Sequence, residues 1–405
     1  MLNALSYAHK FATPLIGGSN PKDFLEGDND TSAVVAALAA GRLTSTRRLI
    51  TAGLTEAGQA PTAESVMGFQ SGGGRAWRPE TGLALLANRY EKHNLSAFQL
   101  AAAMAGMGGS GRVEIDFDNP EWIYLDGWLT PVNGRSVLES DGHNILIDSD
   151  LGCCPFLASS NLWTPAKANL GPWASFRTGG LAPRYACATG LPHTVESFPW
   201  VSEKPSVSAR ALDMPDPRIA TIHQGWQIII EHAPAFALWV AGAAEGCLLL
   251  DNGPNPIAQS GSSFDHPGLI AISPPDCPVF CGEILVHECS HQQLLVYGMI
   301  APLVHAGSSE TSYSPIKRAT RSIDRVLTGA HAVGNMILYY AELTRSLSLD
   351  RSSVDRFNKL CHWFYEDYSP ALDHCQSLTE AGRELWGCLS GAVSCALEVA
   401  LENVR

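Results

Sequence analysis

The sequence lacks any uninterrupted stretch of about 18 apolar residues, the length that a membrane-spanning helix needs. The closest run, "APAFALWVAGAAEGCLLL", is interrupted by Glu245 and carries two glycines. The first twenty residues also lack a basic segment followed by an apolar core, which is the pattern of a secretory signal. We therefore expect no membrane partner and a cytoplasmic protein.

Positive charge is also scarce. The chain has 27 Lys and Arg against 40 Asp and Glu, a formal net charge of −13. A nucleic-acid partner is not expected, because binding phosphates requires a basic surface. The 11 cysteines are an odd number and form no paired CxxC motifs. We expect reduced, mostly buried thiols rather than a disulfide framework.

The sequence shows no internal repeat and no low-complexity tract. Its 45 % hydrophobic and 17 % charged residues are typical of a globular chain. Alanine- and leucine-rich runs over residues 32–106 predict helices. Apolar or alternating stretches between Gly, Asn and Asp predict a small β region over residues 112–149. The Pro-, Gly- and Ser-rich residues 150–212 predict loops.

The sequence of the C-terminal half predicts helices around two short strands. One long helix is expected over residues 215–242, and "CLLLDNG" and "GLIAIS" predict the strands. The predicted fold class is therefore α+β and dominated by helices, with a small β region in mid-chain. We divide the chain into residues 1–210, a helical and β region expected to bind a peptide, and residues 211–405, a helical catalytic domain that binds a metal.

The segment "GEILVHECSHQQLLVYG" carries the strongest sign of chemistry. His287 and His291 are four residues apart, so on an α-helix both side chains project from one face in consecutive turns. That spacing allows both imidazoles to bind one metal ion. Glu288 lies beside them, within reach of a metal-bound water. The pattern predicts a metal site in which Glu288 is the catalytic carboxylate.

A third ligand is needed, because two histidines alone do not hold a metal. The metzincin spacing would require Gly and His where Leu294 and Tyr297 stand, which excludes that class. A later predicted helix offers His331 and Glu342. Their eleven-residue separation places them on one face of that helix but about 16 Å apart, so only one of them can reach the metal.

The identity of the third ligand decides the chemistry. Two histidines with Glu342 would form a zinc hydrolase in which Glu288 polarises a water. His331 would instead complete an open face of three nitrogens, which suits iron(II) and leaves positions for a bidentate cosubstrate and oxygen. His305 and Glu310 lie in a predicted loop, "HAGSSETSYSP", and are weaker candidates.

Three segments occur in a fixed order around the motif. They are "SGSSFDHPGLIAISPP", "GEILVHECSHQQL" and "YSPIKRATRSIDRVLTGAHAVGNM". Together they resemble the C-terminal HExxH domain of the 2-oxoglutarate-dependent β-hydroxylases that modify ribosomally synthesised peptides. The resemblance extends over about residues 215–345. It implies iron(II), 2-oxoglutarate and oxygen as reactants, and hydroxylation of a side-chain β-carbon in a precursor peptide.

The resemblance also implies roles for individual residues. The implied metal ligands are His287, His291 and His331. Arg321 would anchor the distal carboxylate of 2-oxoglutarate, since a guanidinium fork binds a carboxylate through two hydrogen bonds. The implied cosubstrate site also includes Tyr313 and Ser263, and Lys317 and Arg318 are alternatives to Arg321. The alternative function is a zinc-dependent HExxH metallopeptidase with Glu342 as the third ligand.

Overall fold

The structure of the protein is a computed structural model, and it describes most of the chain. Outside the short gaps within these stretches, the described residues are 12–14, 29–70, 81–88, 91–125, 128–165, 173–174, 184–186, 217–249, 260–262, 268–273 and 275–404. Residues 82, 83, 86, 160, 161, 245 and 274 are the gaps.

The N-terminal part combines helices with an antiparallel sheet. The helices are α1 (Asn29–Glu56), α2 (Ala60–Gly68) and α3 (His93–Gly106). The strands are β1 (Ser110–Leu125), β2 (Trp128–Asp141), β3 (Asn144–Ser149), β4 (Gly152–Ser159) and β5 (Leu162–Pro165), paired in sequence order. The helices predicted within residues 32–106 and the β region predicted at 112–149 are confirmed.

Apolar and polar side chains alternate along the strands of this sheet. Val113, Ile115 and Phe117 are buried, whereas Glu114 and Asp116 between them are exposed. This period of two directs one face of the sheet into the core. The prediction that residues 150–212 are loops is wrong at its start, because β4 and β5 extend the sheet to Pro165. It is also wrong at Trp173–Ala174 and Arg184–Ala186, which are short strands.

The middle of the chain forms a second, mixed sheet and two helices. The helices are α4 (Pro217–His232) and α5 (Pro234–Ala243). The strands are β6 (Trp173–Ala174), β7 (Arg184–Ala186), β8 (Gly246–Leu249), β9 (Ser260–Ser262) and β10 (Leu269–Ile272), in the order β6-β7-β8-β10-β9. Both predicted strands are confirmed as β8 and β10, which are parallel neighbours.

The single long helix predicted over residues 215–242 is wrong in one respect. It breaks at Ala233, whose φ of −140° and ψ of 57° are not helical. Pro234 follows, and the proline ring disfavours the α conformation of the residue before it. The sequence therefore forms α4 and α5 instead of one rod.

The C-terminal part contains the HExxH segment. Its elements are α6 (Pro278–Ile300), β11 (Thr311–Ser314), β12 (Ala319–Ser322), α7 (Ile323–Leu343), α8 (Arg351–His362), a π-helical turn (Trp363–Tyr368), α9 (Ser369–Leu372) and α10 (Glu380–Val404). The predicted loop "HAGSSETSYSP" is wrong at its end, where β11 pairs with β12 in an antiparallel hairpin. A turn containing Arg318, at a φ of 51°, reverses the chain between them.

Buried apolar side chains form two clusters among the described residues. One involves residues 43–156 and the other involves Ala12 and residues 222–393. The proposed division at residue 210 lies outside the described residues and stays a prediction. The α+β, helix-dominated fold class is confirmed. Where helices are described, none is both long and apolar enough to cross a bilayer.

Helices α4 and α6 cross at glycine. A Cβ atom at Gly225 would lie 2.9 Å from the Cβ of Cys281, 2.9 Å from the backbone nitrogen of Gly282 and 3.0 Å from the carbonyl oxygen of Pro278. Two of these atoms are backbone, so no rotamer change relieves the overlap. The crossing therefore fixes the N-terminal part of α6 against α4.

Gly225→Ala is expected to lower the free energy of unfolding by about 1–3 kcal/mol, because the added methyl group overpacks a helix crossing. The matched control is Gly298→Ala, at an exposed position on α6 with no atom within 4 Å of the new Cβ. It should raise stability by about 0.5–1 kcal/mol, since alanine loses less entropy in a helix. Urea unfolding measures both, and equal effects would refute the close crossing.

Candidate metal centre

Helix α6 presents the two motif histidines to one point. It begins at Pro278, in the first turn, where a missing N–H costs nothing, and it ends before Pro302. The Nε2 atoms of His287 and His291 are 3.1 Å apart. Two nitrogens at 2.0–2.1 Å from one metal, with bond angles of 90–109°, are separated by about 2.9–3.4 Å. The histidine pair therefore has the spacing of two ligands on one ion.

Glu288 completes a compact group of ligand atoms. One ligand atom from each of His287, Glu288 and His291 lies within 4.8 Å of the other two. The Glu288 side chain is 1 % exposed, with Oε1 3.7 Å from Nε2 of His287. Its Oε2 has no hydrogen-bond partner among the described residues. A buried carboxylate oxygen without a partner is costly, and a metal ion or its bound water would supply the missing partner. These residues fit a metal.

The environment keeps His291 in the form that binds metals. Burial lowers the pKa of His291 well below its ordinary value, and the positive charges that His287 and His331 would carry lower it further. The basic side chains of Lys317 and Arg325 act in the same direction. His291 is therefore neutral near pH 7, as a metal ligand must be.

Helices α6 and α7 pack antiparallel, and their register brings His331 towards the motif. At one end, the hydroxyl of Tyr340 donates to Oε2 of Glu283 at 2.8 Å. His291 lies eight residues after Glu283 and His331 nine residues before Tyr340, displacements of about 12 and 14 Å. His331 is consequently near enough to His291 to affect its pKa.

Glu342 lies at the other end of the same helix face. It is two residues beyond Tyr340, which places it about 9 Å along α6 from His287. Its Oε1 forms an ion pair with Nη1 of Arg345 at 2.7 Å. Burial raises the pKa of the Glu342 carboxyl, which Arg345 partly offsets. Glu342 is thus paired with a residue just beyond the end of α7, away from the histidine pair.

His331 is fully buried beside aromatic and amide side chains. Its ring centroid lies 6.2 Å from that of Trp239 on α5. Its Nε2 is 3.5 Å from Nδ2 of Asn335, which also donates to the carbonyl oxygen of Ala12. Within the part of the chain that the structure describes, neither His331 nor Glu342 belongs to the 4.8 Å ligand group.

The hairpin β11–β12 separates two of the predicted cosubstrate residues. Arg321 is opposite Ser312, and Tyr313 is opposite Thr320. Because neighbouring residues on a strand point to opposite faces, Arg321 and Tyr313 are on different faces of the hairpin. Ser314, on the same face as Arg321, is buried, whereas Tyr313 is 46 % exposed. The structure therefore keeps Arg321 on the inward face and directs Tyr313 outward.

The remaining predicted residues differ in exposure, and one of them lies outside the described residues. Lys317 and Arg318 are exposed in the hairpin turn. Ser263 lies outside the described residues, although the hydroxyl of its neighbour Ser262 donates to the carbonyl oxygen of Glu288 at 3.4 Å. His305 is exposed.

Glu310 serves a structural purpose. It accepts hydrogen bonds from the Ser377 hydroxyl at 2.5 Å and the Ser377 backbone N–H at 3.1 Å. These bonds lower the pKa of Glu310. The carboxylate thereby joins the segment after α6 to the segment before α10, so this side chain is not available to a metal.

No protein-family model and no curated protein matches this chain. The resemblance to the peptide β-hydroxylases therefore rests on its three sequence segments.

Several buried polar residues at the site carry no recognisable sequence motif. Trp239 approaches from α5, and its carbonyl oxygen accepts from Nε2 of Gln293 on α6 at 3.1 Å. Gln292, fully buried, accepts from the backbone N–H of Gly268 at 3.2 Å. Glu283 binds Arg356 of α8. The charge of Glu283, four residues before His287, was the one sequence signal that could have drawn attention to the pair of Glu283 and Arg356.

Proposed function

We propose that the protein is an iron(II)- and 2-oxoglutarate-dependent oxygenase that hydroxylates a side-chain β-carbon in a ribosomally synthesised precursor peptide. One observation carries the proposal: the antiparallel register of α6 and α7 brings His331 near His291 and leaves Glu342 with Arg345. The third ligand that this register favours is a histidine, so the ligand set is neutral.

A neutral set of three nitrogens leaves the metal's two positive charges for anionic partners. When bound there, iron(II) would supply the oxygen-dependent redox chemistry that no side chain provides. Lys317 and Arg325 are close enough to lower the pKa of His291, so two positive charges act on this position. Such a field favours a dicarboxylate cosubstrate. Arg321, on the inward face of the hairpin, is the proposed partner of the distal carboxylate.

Glu288 would orient ligands in this mechanism. Its buried carboxylate is beside His287, where it can accept a hydrogen bond from a bound water and hold its position. Neither orienting the ligands nor holding a bound water requires Glu288 itself to transfer a proton. We further propose a cytoplasmic location, in agreement with the free cysteines among the described residues.

A zinc-dependent peptidase is the second candidate. The observation in its favour is that His287, Glu288 and His291 alone form the 4.8 Å ligand group, with a carboxylate positioned to act as a base towards water. Its weakness is the third ligand, because Glu342 pairs with Arg345.

Succinate formation from 2-oxoglutarate in the presence of iron(II) tests the proposal, and Arg321→Ala tests the anchor. The variant should need about 10–100-fold more 2-oxoglutarate for half-maximal succinate formation while metal content stays unchanged, because a charge-assisted bidentate contact is lost. Arg351→Ala is the control, since this arginine is exposed at the start of α8 and has no proposed role at the site.

Two results would contradict this proposal. If the parent protein binds metal, forms no succinate and cleaves peptides with zinc, the peptidase is the better description. An unchanged requirement in Arg321→Ala together with a raised one in Lys317→Ala or Arg318→Ala would transfer the anchoring role to that residue.

A further inference from the structure

A buried ion pair lies one helical turn before the motif. Nε of Arg356 is 3.0 and 3.1 Å from the two carboxylate oxygens of Glu283, and its Nη2 is 2.5 Å from Oε1. The hydroxyl of Tyr340 donates to the same carboxylate at 2.8 Å. Glu283 is buried and Arg356 largely covered. One carboxylate on α6 thus receives donors from α7 and α8.

The protonation states suit this arrangement. Burial and the adjacent Glu283 carboxylate raise the pKa of Tyr340, so the phenol keeps its proton and remains a donor. Arg356 carries a permanent charge and a planar fork that matches a carboxylate. Its ring neighbour Trp363 lies 5.6 Å from the guanidinium carbon, which holds the side chain over the π-helical turn.

The location of the network matters more than its strength. Glu283 and His287 are four residues apart on α6, so they share a face. Tyr340 belongs to the helix that carries His331. Apolar packing is non-directional, whereas Tyr340 and Arg356 make directional bonds to one carboxylate and so restrict the axial position of α6 against α7 and α8.

We infer that Glu283, Arg356 and Tyr340 form a positioning network that sets the register of α6 against α7 and, through it, the affinity of the metal site. The inference rests on the metal-binding part of the proposed function and does not depend on the oxygenase chemistry. Metal ligands need placement within a few tenths of an ångström, so a small shift of α7 alters the approach of His331.

A pair of substitutions separates positioning from stability. Arg356→Met leaves Glu283 buried without its cation and should lower both the midpoint of thermal unfolding and the affinity for cobalt(II). Glu283→Met/Arg356→Met replaces the whole pair with apolar side chains of similar volume. Its unfolding midpoint should return towards that of the parent, while cobalt(II) binding stays about tenfold weaker.

Cobalt(II) titration by calorimetry, with the visible spectrum of the bound ion, measures the affinity and the geometry of the site. Tyr340→Phe keeps the packing and removes one bond, so it should weaken cobalt(II) binding less than the double variant does. Leu378→Ala removes a fully buried side chain outside the network and should lower only the unfolding midpoint.

Each outcome has one meaning. Cobalt(II) affinity in the double variant equal to that of the parent overturns the inference, as does an equal loss in Leu378→Ala. If the double variant does not fold, unchanged cobalt(II) affinity in Tyr340→Phe overturns it instead. A parent that binds cobalt(II) but forms no succinate refutes the oxygenase alone, and a parent that binds no metal refutes both.

Discussion

Replacing either His287 or His291 with alanine is expected to abolish stoichiometric metal binding. Their Nε2 atoms are 3.1 Å apart and form one chelating edge, so losing one nitrogen removes the edge. Structural zinc sites with four ligands provide about 10–16 kcal/mol in total, or about 2.5–4 kcal/mol per ligand, so the expected weakening is on the order of a hundredfold or more. Metal content after dialysis, measured by atomic emission, gives the result directly.

His305→Ala is the control for the histidine variants. This residue follows α6 closely in the chain but is exposed and lies in a different segment. It should retain the full metal content and the unfolding midpoint of the parent. Full occupancy in both His287→Ala and His291→Ala would place the metal elsewhere in the protein.

Replacing each of the two candidate third ligands with alanine is expected to give opposite results. His331→Ala should lower iron(II) affinity by about a hundredfold and reduce succinate formation to background, because the proposed set loses one of three nitrogens. Glu342→Ala should keep both, since this carboxylate pairs with Arg345. Bound iron and succinate are measured in each variant.

The buried position of His331 calls for a second substitution. Alanine leaves a cavity there, so a general loosening of α7 would also lower affinity. His331→Leu fills much of the volume and lacks ring nitrogens, and it should lose iron(II) to the same extent. Recovery of iron(II) binding in His331→Leu would mean that the ring only fills space. Loss of metal in Glu342→Ala alone, with peptide cleavage by the parent, would support the peptidase.

The local part of the candidate site was predictable from sequence. A spacing of four residues fixes a shared helix face, and the helix predicted around His287 is present from Pro278 to Ile300. Pro234 also predicts the end of α4, although the apolar run across it suggested one helix. What spacing cannot give is the register between α6 and α7, which depends on contacts such as that of Glu283 with Tyr340, 57 residues apart.

A short polar strand was one source of error in the fold. The strand Thr311–Ser314 has only one buried side chain, so it offers no alternation that would separate it from a loop. Because the hairpin was not predicted, neither was the placement of Arg321 and Tyr313 on its opposite faces. Of the three predicted cosubstrate residues, only Arg321 is therefore on the inward face of the hairpin. Tyr313 is on the outward face, and Ser263 lies outside the described residues.

The antiparallel packing of α6 and α7 also bears on the order in which the chain matures. His287 and His291 belong to one helix, so the pair assembles as soon as α6 forms. The proposed third nitrogen arrives only when α7 docks, which involves a connection containing the hairpin β11–β12. A nascent chain would thus hold metal weakly, and tight capture would report that docking is complete. Loss of the metal and separation of the two helices would be thermodynamically coupled, so a chelator should act on this protein as a mild denaturant.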